Sequence, residues 1–240
     1  MDSRLCRDIS SFMDSEPLPT ISAANVIVIK MKTVYLVRHG EAENNLQGIQ
    51  FYNERSALLT EKGKDQSRSI AARLRNVKIQ ALIASTVPRA QQTADIISAV
   101  IGVKKQTSEV YVERKSPFSL EGTPWNDENT KVAHAKWHES LWISGKRCLD
   151  GENLEDIRTR SREALLDLES RTETRIVVVT HGFFMRTLLA QVLLGADFFP
   201  QNFKSFTDSL EVSNTGITIL CFDEMSHRWS VRAWNDCEDI

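Results

Sequence analysis

The segment Arg175-Ile-Val-Val-Val-Thr180 constrains the fold of this chain more than any other stretch. Its run of β-branched residues favours a strand over a helix. Because apolar side chains follow one another without polar alternation, both faces of that strand must be covered, as in a parallel sheet between helices. We therefore predict that this strand lies inside a sheet with helices packed on both sides.

Strand-like and helix-like segments alternate around this run, which is typical of an α/β fold. Strands are predicted at 33–37, 81–84, 109–112, 216–221 and 229–234, the last two as a hairpin, and a strand-like segment also lies at 25–30. Helices are predicted from the N-cap Thr60 to about 75, from Pro88 to about 100, at about 129–143, from a cap at Asn153 or Asp150 to about 171, and at 184–194. The pattern predicts a three-layer α/β sandwich with a mostly parallel central sheet flanked by helices.

The length of 240 residues is compatible with one domain. We expect residues 1–30 to be a flexible N-terminal extension and residues 31–240 to form the domain. The first 32 residues lack a basic head followed by an apolar segment, and the four cysteines are scattered without a Cys-x-x-Cys pair. These features favour a cytoplasmic location.

The formal net charge of −2 provides no overall field for binding nucleic acid or an anionic membrane. We expect neither as a partner, and any anion site must be built locally. The sequence leaves the oligomeric state open.

Polar side chains that suit such a site follow four of the predicted strands. They are Arg38 and His39, then Arg89, then Glu113, and finally His181. Since ligands of α/β sheets bind beyond the carboxyl ends of the strands, we expect these side chains to meet at one edge.

These residue types suit phosphoryl transfer without a metal or cofactor. Arginine forks match phosphate oxygens, and the backbone N–H groups after Gly40 and Gly182 add donors. Guanidinium groups near His39 would keep its imidazole neutral, as a nucleophile at phosphorus requires. Glu113 would then protonate the leaving alkoxide.

The same residues stand in motifs that resemble those of the histidine phosphatase superfamily, the phosphoglycerate mutase-like proteins. The blocks follow the order of that family from about residue 33 to 235: Arg38-His-Gly-Glu with Asn45, Leu59-Thr-x-x-Gly with Gln66, Ser85-x-x-x-Arg89, Gly151-Glu152 and Val178-Val-Thr-His-Gly182. The chain departs from the family at 54–58, where an Asp-x-x-Leu pattern is missing, at Asn153, where the family has serine, and after Glu113.

The resemblance implies a phosphoglycerate mutase-like fold and a role for each matching residue. His39 would carry the phosphoryl group, which Arg38, Arg89 and His181 would hold, with help from Asn45 and the N–H of Gly182. Glu113 would act first as acid and then as base. The implied substrate is a small phosphorylated molecule.

Some assignments have alternatives. Glu109 and Glu121 are rivals for the acid, and Asn45 is also explained as a turn residue. His134 and His138 have the spacing of metal ligands, although a solvated helix face is favoured. Trp125, Trp137 and Trp142 would line either a substrate pocket or the core.

Hydrolysis of small phosphate esters is our preferred activity. Glu113 and His181 are separated by 68 positions (181 − 113), whereas the mutases of this family carry a longer basic insertion there. The alternatives are transfer of the phosphoglycerate mutase type and a non-catalytic module that binds phosphorylated ligands.

Overall fold

The structure, a computed structural model, describes residues 31–46 and 52–237. The predicted extension at 1–30 and its strand-like segment lie outside these residues. Within them, six strands form one sheet: β1 (Met31–Arg38), β2 (Ala81–Ala84), β3 (Lys105–Thr107), β4 (Arg175–Thr180), β5 (Ile217–Asp223) and β6 (Arg228–Asp236). The helices are α1 (Glu61–Leu74), α2 (Pro88–Ile101), α3 (Glu128–Ser140), α4 (Leu154–Ser170), α5 (Gly182–Leu194) and α6 (Pro200–Asp208).

The strand order is β3-β2-β4-β1-β5-β6. β4 pairs in parallel with both β1 and β2, and β2 pairs in parallel with β3. β5 runs antiparallel to β1 and to β6, which completes the predicted hairpin. The prediction of a mostly parallel sheet is confirmed.

The two faces of β4 explain its unbroken apolar run. Val177 and Val179 pack in a cluster with residues of α1 and α2. Ile176 and Val178 pack in a second cluster with residues of α4 and α5. All four side chains are fully buried, so the sheet lies between two helical layers as predicted.

Local side-chain hydrogen bonds define where two of the predicted helices begin. Thr60 Oγ1 accepts from Gly63 N at 3.0 Å and caps α1. Asn153, rather than Asp150, caps α4, since its Oδ1 accepts from Asp156 N at 3.0 Å. α6 was missed, because its nine residues fall in an irregular-looking stretch after α5.

The prediction of a strand at 109–112 is wrong. β3 lies earlier, at Lys105–Thr107, and Glu109–Tyr111 forms a 3₁₀ helix. The edge strand is short and polar, which hides it from a search for apolar runs. Ser108 Oγ accepts from Val110 N at 3.3 Å and turns the chain out of the sheet. Glu113 therefore follows a 3₁₀ turn and not a strand.

Lys32 of β1 is completely buried, and its ammonium caps the C-terminal end of α4. Nζ donates to the carbonyl oxygens of Leu168, Glu169 and Arg171 at 2.7–2.8 Å. A cation there satisfies carbonyls that the helix leaves unpaired and complements its negative end.

Lys32→Met keeps the apolar stem but removes the charge and these donors. We expect the free energy of unfolding to fall by about 2 kcal/mol in urea titrations. Lys131→Met is the control, since Lys131 is half exposed and pairs with Glu128 across one helical turn. A loss in Lys32→Met no larger than in this control would contradict the capping role.

Candidate active site

The carboxyl ends of β1 and β4 bring two histidines together. His39 follows β1, and its backbone N donates to Thr180 O at 3.0 Å. His181 follows β4 directly, and the centroids of the two imidazole rings are 5.1 Å apart. His39 is 3% exposed and His181 0%. The expectation that these residues meet at one sheet edge holds.

Hydrogen bonds define the tautomer of His39. Nδ1 lies 2.7 Å from Gly40 O, which can only accept, so Nδ1 carries the proton. Nε2 is then unprotonated and accepts from Arg89 Nε at 3.0 Å. Burial, reinforced by Arg89 and Arg38, holds the pKa of His39 well below its ordinary value. The imidazole is therefore neutral, with the Nε2 lone pair toward Arg89.

Two buried polar atoms beside His39 lack hydrogen-bond partners among the described residues. These atoms are Arg38 Nε and His181 Nδ1. Arg38 Nη1 donates to Val212 O, and His181 Nε2 shares a hydrogen bond of 2.8 Å with Ser85 Oγ. If the Ser85 hydroxyl is the donor, His181 Nδ1 carries the proton. Buried donors without acceptors are costly, so this arrangement fits a bound anion.

Gly182, the first residue of α5, leaves room beside Arg38. A Cβ on Gly182 would lie 3.4 Å from Arg38 Nε. The start of α5 also provides backbone N–H groups and the positive end of the helix. The predicted residues Arg38, His39, Arg89, His181 and Gly182 thus lie together in one cluster, which we call the cradle.

The loop after β1 is fastened to α1 and α2. Gly40 N donates to Thr93 Oγ1 at 3.0 Å, and Glu41 N donates to Gln66 Oε1 at 2.8 Å. The backbone of Gly40 also lies against that of Gly63. These contacts fix the position of His39 relative to the helices.

Gly40→Ala tests this fastening. Its Cβ would stand 2.3 Å from Gly63 O, a backbone atom that cannot yield alone. We expect about 3 kcal/mol less stability and about a hundredfold lower activity, since the loop must move with His39. Gly102→Ala is the control, because it meets open space and suffers only from its left-handed backbone (φ 72°). Equal effects of the two substitutions would contradict close packing as the cause.

The Glu113 carboxylate lies at the start of α5, against the backbone of Phe183 and Phe184, which follow His181 and Gly182 in the chain. Its Oε2 accepts from Phe183 N at 3.1 Å and its Oε1 from Phe184 N at 3.0 Å. Arg160 supports the segment from α4, since Nη2 donates to Glu113 O at 3.1 Å. The structure thus holds this carboxylate at the edge of the cradle.

The rival acids contact other groups. Glu109 is exposed, with Lys115 at 4.0 Å, and Glu121 accepts from the backbone N of Arg55 and the hydroxyl of Ser56. Geometry therefore favours Glu113 over both.

Asn45 stabilises the loop that carries His39. It lies in a 3₁₀ turn at Glu43–Asn45, and its Oδ1 accepts from Ala42 N at 3.1 Å. Asn214 Nδ2 reaches this oxygen at 3.4 Å and donates to His39 O at 3.0 Å. The turn interpretation is confirmed, while assistance to phosphate stays a prediction.

Sequence reasoning missed Glu54, whose carboxylate pairs with Arg89. Arg89 is 1% exposed, and its Nη2 and Nη1 donate to Glu54 Oε1 and to Glu54 O. Asn44 Nδ2 donates to the second carboxylate oxygen at 2.9 Å. Burial raises the pKa of Glu54, which Arg89 opposes. Glu54 lies in the stretch that departs from the family pattern, so no motif indicated it.

His134 and His138 do not form a metal site with the residues that the structure describes, since no third ligand joins them there. His138 is exposed, and His134 is half-buried against Trp125, with ring centroids 5.0 Å apart. Among residues 31–46 and 52–237, the helices are too short or too polar to span a membrane.

Buried neutral histidines make stability depend on pH. Burial and then Arg89 lower the pKa of His39 and of His181 well below 6.5, near which they titrate in the unfolded chain. Below about pH 6.5 the unfolded chain binds more protons, so acid favours unfolding. This contribution is complete above pH 6.5 and is lost progressively as pH falls towards the folded-state values.

We expect the free energy of unfolding to fall by up to about 1.4 kcal/mol per pH unit for each of the two histidines. Urea titrations between pH 7.5 and 5 measure this slope. His39→Asn should make it shallower by one such contribution, and an unchanged slope would mean that His39 is protonated in the folded chain.

Comparison with known proteins agrees with this geometry. The profile of the family described as "Histidine phosphatase superfamily (branch 1)" matches residues 34–237. A protein of Enterobacter sp. strain 638 named "Probable phosphoglycerate mutase GpmB" is 32% identical over 178 residues, covering 68% of this chain and 75% of its own length. "Probable phosphatase C1620.13" of Schizosaccharomyces pombe is 30% identical over 172 residues, covering 68% of this chain and 57% of its own.

Solved structures share the fold at lower identity. The alpha-ribazole phosphatase of Shigella flexneri superimposes with a TM-score of 0.70 at 18% identity, covering 85% of this chain and 96% of its own. A mycobacterial glucosyl-3-phosphoglycerate phosphatase gives 0.66 at 20% identity, covering 86% and 100%.

Proposed function

The chain belongs to the histidine phosphatase superfamily (branch 1), and on this basis we propose that it hydrolyses small phosphate esters through a phosphohistidine on His39. One observation carries the proposal: Arg38 Nε and His181 Nδ1, both buried and without hydrogen-bond partners among the described residues, lie beside a neutral imidazole whose Nε2 is unprotonated. This is an anion site built around a nucleophile. The free thiols of Cys148, Cys221 and Cys237 are consistent with a cytoplasmic enzyme.

The reaction takes two steps. His39 Nε2 attacks phosphorus, the ester P–O bond breaks, and Glu113 gives its proton to the leaving oxygen. The Glu113 carboxylate then takes a proton from water, which attacks phosphorus and breaks the P–N bond. Arg38, Arg89 and His181 balance the charge of the phosphoryl oxygens in both steps, and no metal takes part.

Arg89 must share its donors between Glu54 and the phosphoryl group. Its Nε donates to His39 Nε2, the atom that would bond to phosphorus, while its Nη2 donates to Glu54. A phosphate monoester dianion carries two negative charges and a carboxylate carries one, so substrate competes well for this guanidinium. We expect Glu54 to lose part of this pairing when substrate binds.

Charge around the cradle favours a phosphatase over a mutase, despite the name of the bacterial relatives. A mutase must hold a second phosphate and therefore needs unbalanced positive charge. The cavity beside Glu113 is lined by three cations, Arg55, Arg114 and Lys115, and three carboxylates, Glu54, Glu109 and Glu113. This balanced lining suits release of the dephosphorylated product.

The discriminating experiment measures release of inorganic phosphate from 4-nitrophenyl phosphate and glycerol phosphate with EDTA present. We expect release from both, with no restoration needed from magnesium or zinc. Interconversion of phosphoglycerates without release would indicate a mutase. Binding of vanadate without any turnover would indicate a non-catalytic module.

A further inference from the structure

Two cavities meet at Glu113. One, of about 280 Å³, includes the charged side chains of Arg55, Glu109 and Lys115. The other, of about 210 Å³, is lined mainly by rings: Tyr52, Trp125, His134, Trp137, His138 and Phe183. We call the second one the aromatic cavity. Glu54, Glu113 and Arg114 border both. The alcohol that forms beside Glu113 could therefore occupy either of the two cavities.

The rings of the aromatic cavity support one another. Tyr52 and Trp125 meet edge to face with centroids 5.3 Å apart, and His134 lies between Trp125 and Trp137 at 5.0 and 5.7 Å. Tyr52 is 5% exposed and Trp137 6%. Trp142 instead packs on Phe203 in the core. Trp125 and Trp137 thus form part of the wall of the aromatic cavity.

Trp137 is further held by Gly151. A Cβ on Gly151 would stand 2.7 Å from Trp137 Nε1, so only glycine lets the indole sit there. Arg114 covers Trp137, with its guanidinium carbon 4.1 Å from the ring centroid. These contacts fix the wall beside the candidate acid.

The charged groups around the aromatic cavity indicate which kind of ligand it can bind. Aromatic walls often bind organic cations, but here Arg114 already provides a cation to Trp137. Burial and then Arg114 lower the pKa of His138, and burial, His138 and then Arg114 lower the pKa of His134, so a positive charge is disfavoured in this cavity. The nearby carboxylates are engaged, Glu54 by Arg89 and Glu113 by backbone N–H groups. An uncharged ring avoids these penalties.

We propose that the aromatic cavity binds the leaving group, and that the substrates are phosphate esters of alcohols bearing an uncharged aromatic or heteroaromatic ring. This inference rests on the proposed function. Trp125 Nε1 is buried without an acceptor among the described residues, which provides a donor for a ring nitrogen or carbonyl.

Three alkyl phosphates test the proposal with the full chain: benzyl phosphate, cyclohexylmethyl phosphate and glycerol 1-phosphate. We expect kcat/KM for benzyl phosphate to exceed that for glycerol phosphate about a hundredfold, since a buried ring removes much apolar area from water. It should exceed that for cyclohexylmethyl phosphate about fivefold, which isolates ring stacking from apolar burial.

Trp125→Leu keeps an apolar wall but removes the ring, so the ratio of benzyl to cyclohexylmethyl phosphate should fall to about one. Phe118→Ala is the matched control, since Phe118 is 68% exposed in the same part of the chain and lines neither cavity. Its ratio should equal that of the wild type.

Phosphate release without preference for benzyl phosphate would overturn this inference and leave the proposed hydrolysis intact. If no ester is hydrolysed, calorimetry with benzylphosphonate and methylphosphonate decides the matter separately. Benzylphosphonate should then bind at least tenfold more tightly than methylphosphonate, and equal affinities would refute the aromatic cavity as a binding site.

Discussion

We expect replacement of His39 by alanine to lower hydrolysis of every phosphate ester by at least about 10⁵-fold. We propose the buried Nε2 beside Arg89 as the nucleophile, and loss of a nucleophile removes nearly all turnover. Alanine leaves Arg38, Arg89 and His181 in place, so phosphate and vanadate should still bind. The measurement is steady-state phosphate release beside a binding titration with vanadate.

The control is His227→Asn, because His227 is an exposed histidine in the turn between β5 and β6. Its backbone is left-handed (φ 51°), a conformation that asparagine tolerates, so activity should not change. Activity of His39→Ala within tenfold of the wild type would show that another group attacks phosphorus.

Replacing Glu113 by glutamine gives the second-largest effect. The variant cannot protonate a leaving alkoxide, so turnover of alkyl phosphates should fall about a hundredfold to a thousandfold. Nitrophenolate needs little protonation, so 4-nitrophenyl phosphate should suffer less than tenfold in the step that forms phosphohistidine. Rapid-quench measurement of that step with both substrates separates the two effects.

Glutamine also turns an N–H group towards the backbone donors at Phe183 and Phe184, which costs some stability. A purely structural loss would slow both substrates equally, and this outcome would remove Glu113 as the acid. Glu61→Gln is the matched control, since Glu61 is exposed on α1 and lines neither cavity beside Glu113. It should change neither rate more than twofold.

Local features of the sequence predict much of the fold. The apolar run of β4 predicts that both faces of the strand are buried. In the structure, α1 and α2 pack on one face and α4 and α5 on the other. Thr60 and Asn153 cap helices through bonds three residues along the chain, which sequence spacing reveals directly. The convergence of His39 and His181 follows from parallel strands that end at one edge.

Features that depend on distant or non-repetitive contacts were not predictable. Glu54 meets Arg89 across 35 positions, outside any motif. β3 is a strand because it pairs with β2, although its residues are polar. The aromatic cavity requires Tyr52 to meet residues 73 to 86 positions later, from Trp125 to His138. Sequence spacing carries no signal for such encounters.

Covalent trapping tests the central claim most directly. The enzyme is mixed with ³²P-labelled phosphate ester, quenched within milliseconds in alkali, and digested for peptide mapping. We predict one phosphoryl group per chain at most, stable in base and labile in acid, on the peptide that contains His39 and specifically on Nε2. Label on any other residue, or turnover in which no base-stable, acid-labile label forms even under rapid quenching, would contradict the phosphohistidine mechanism.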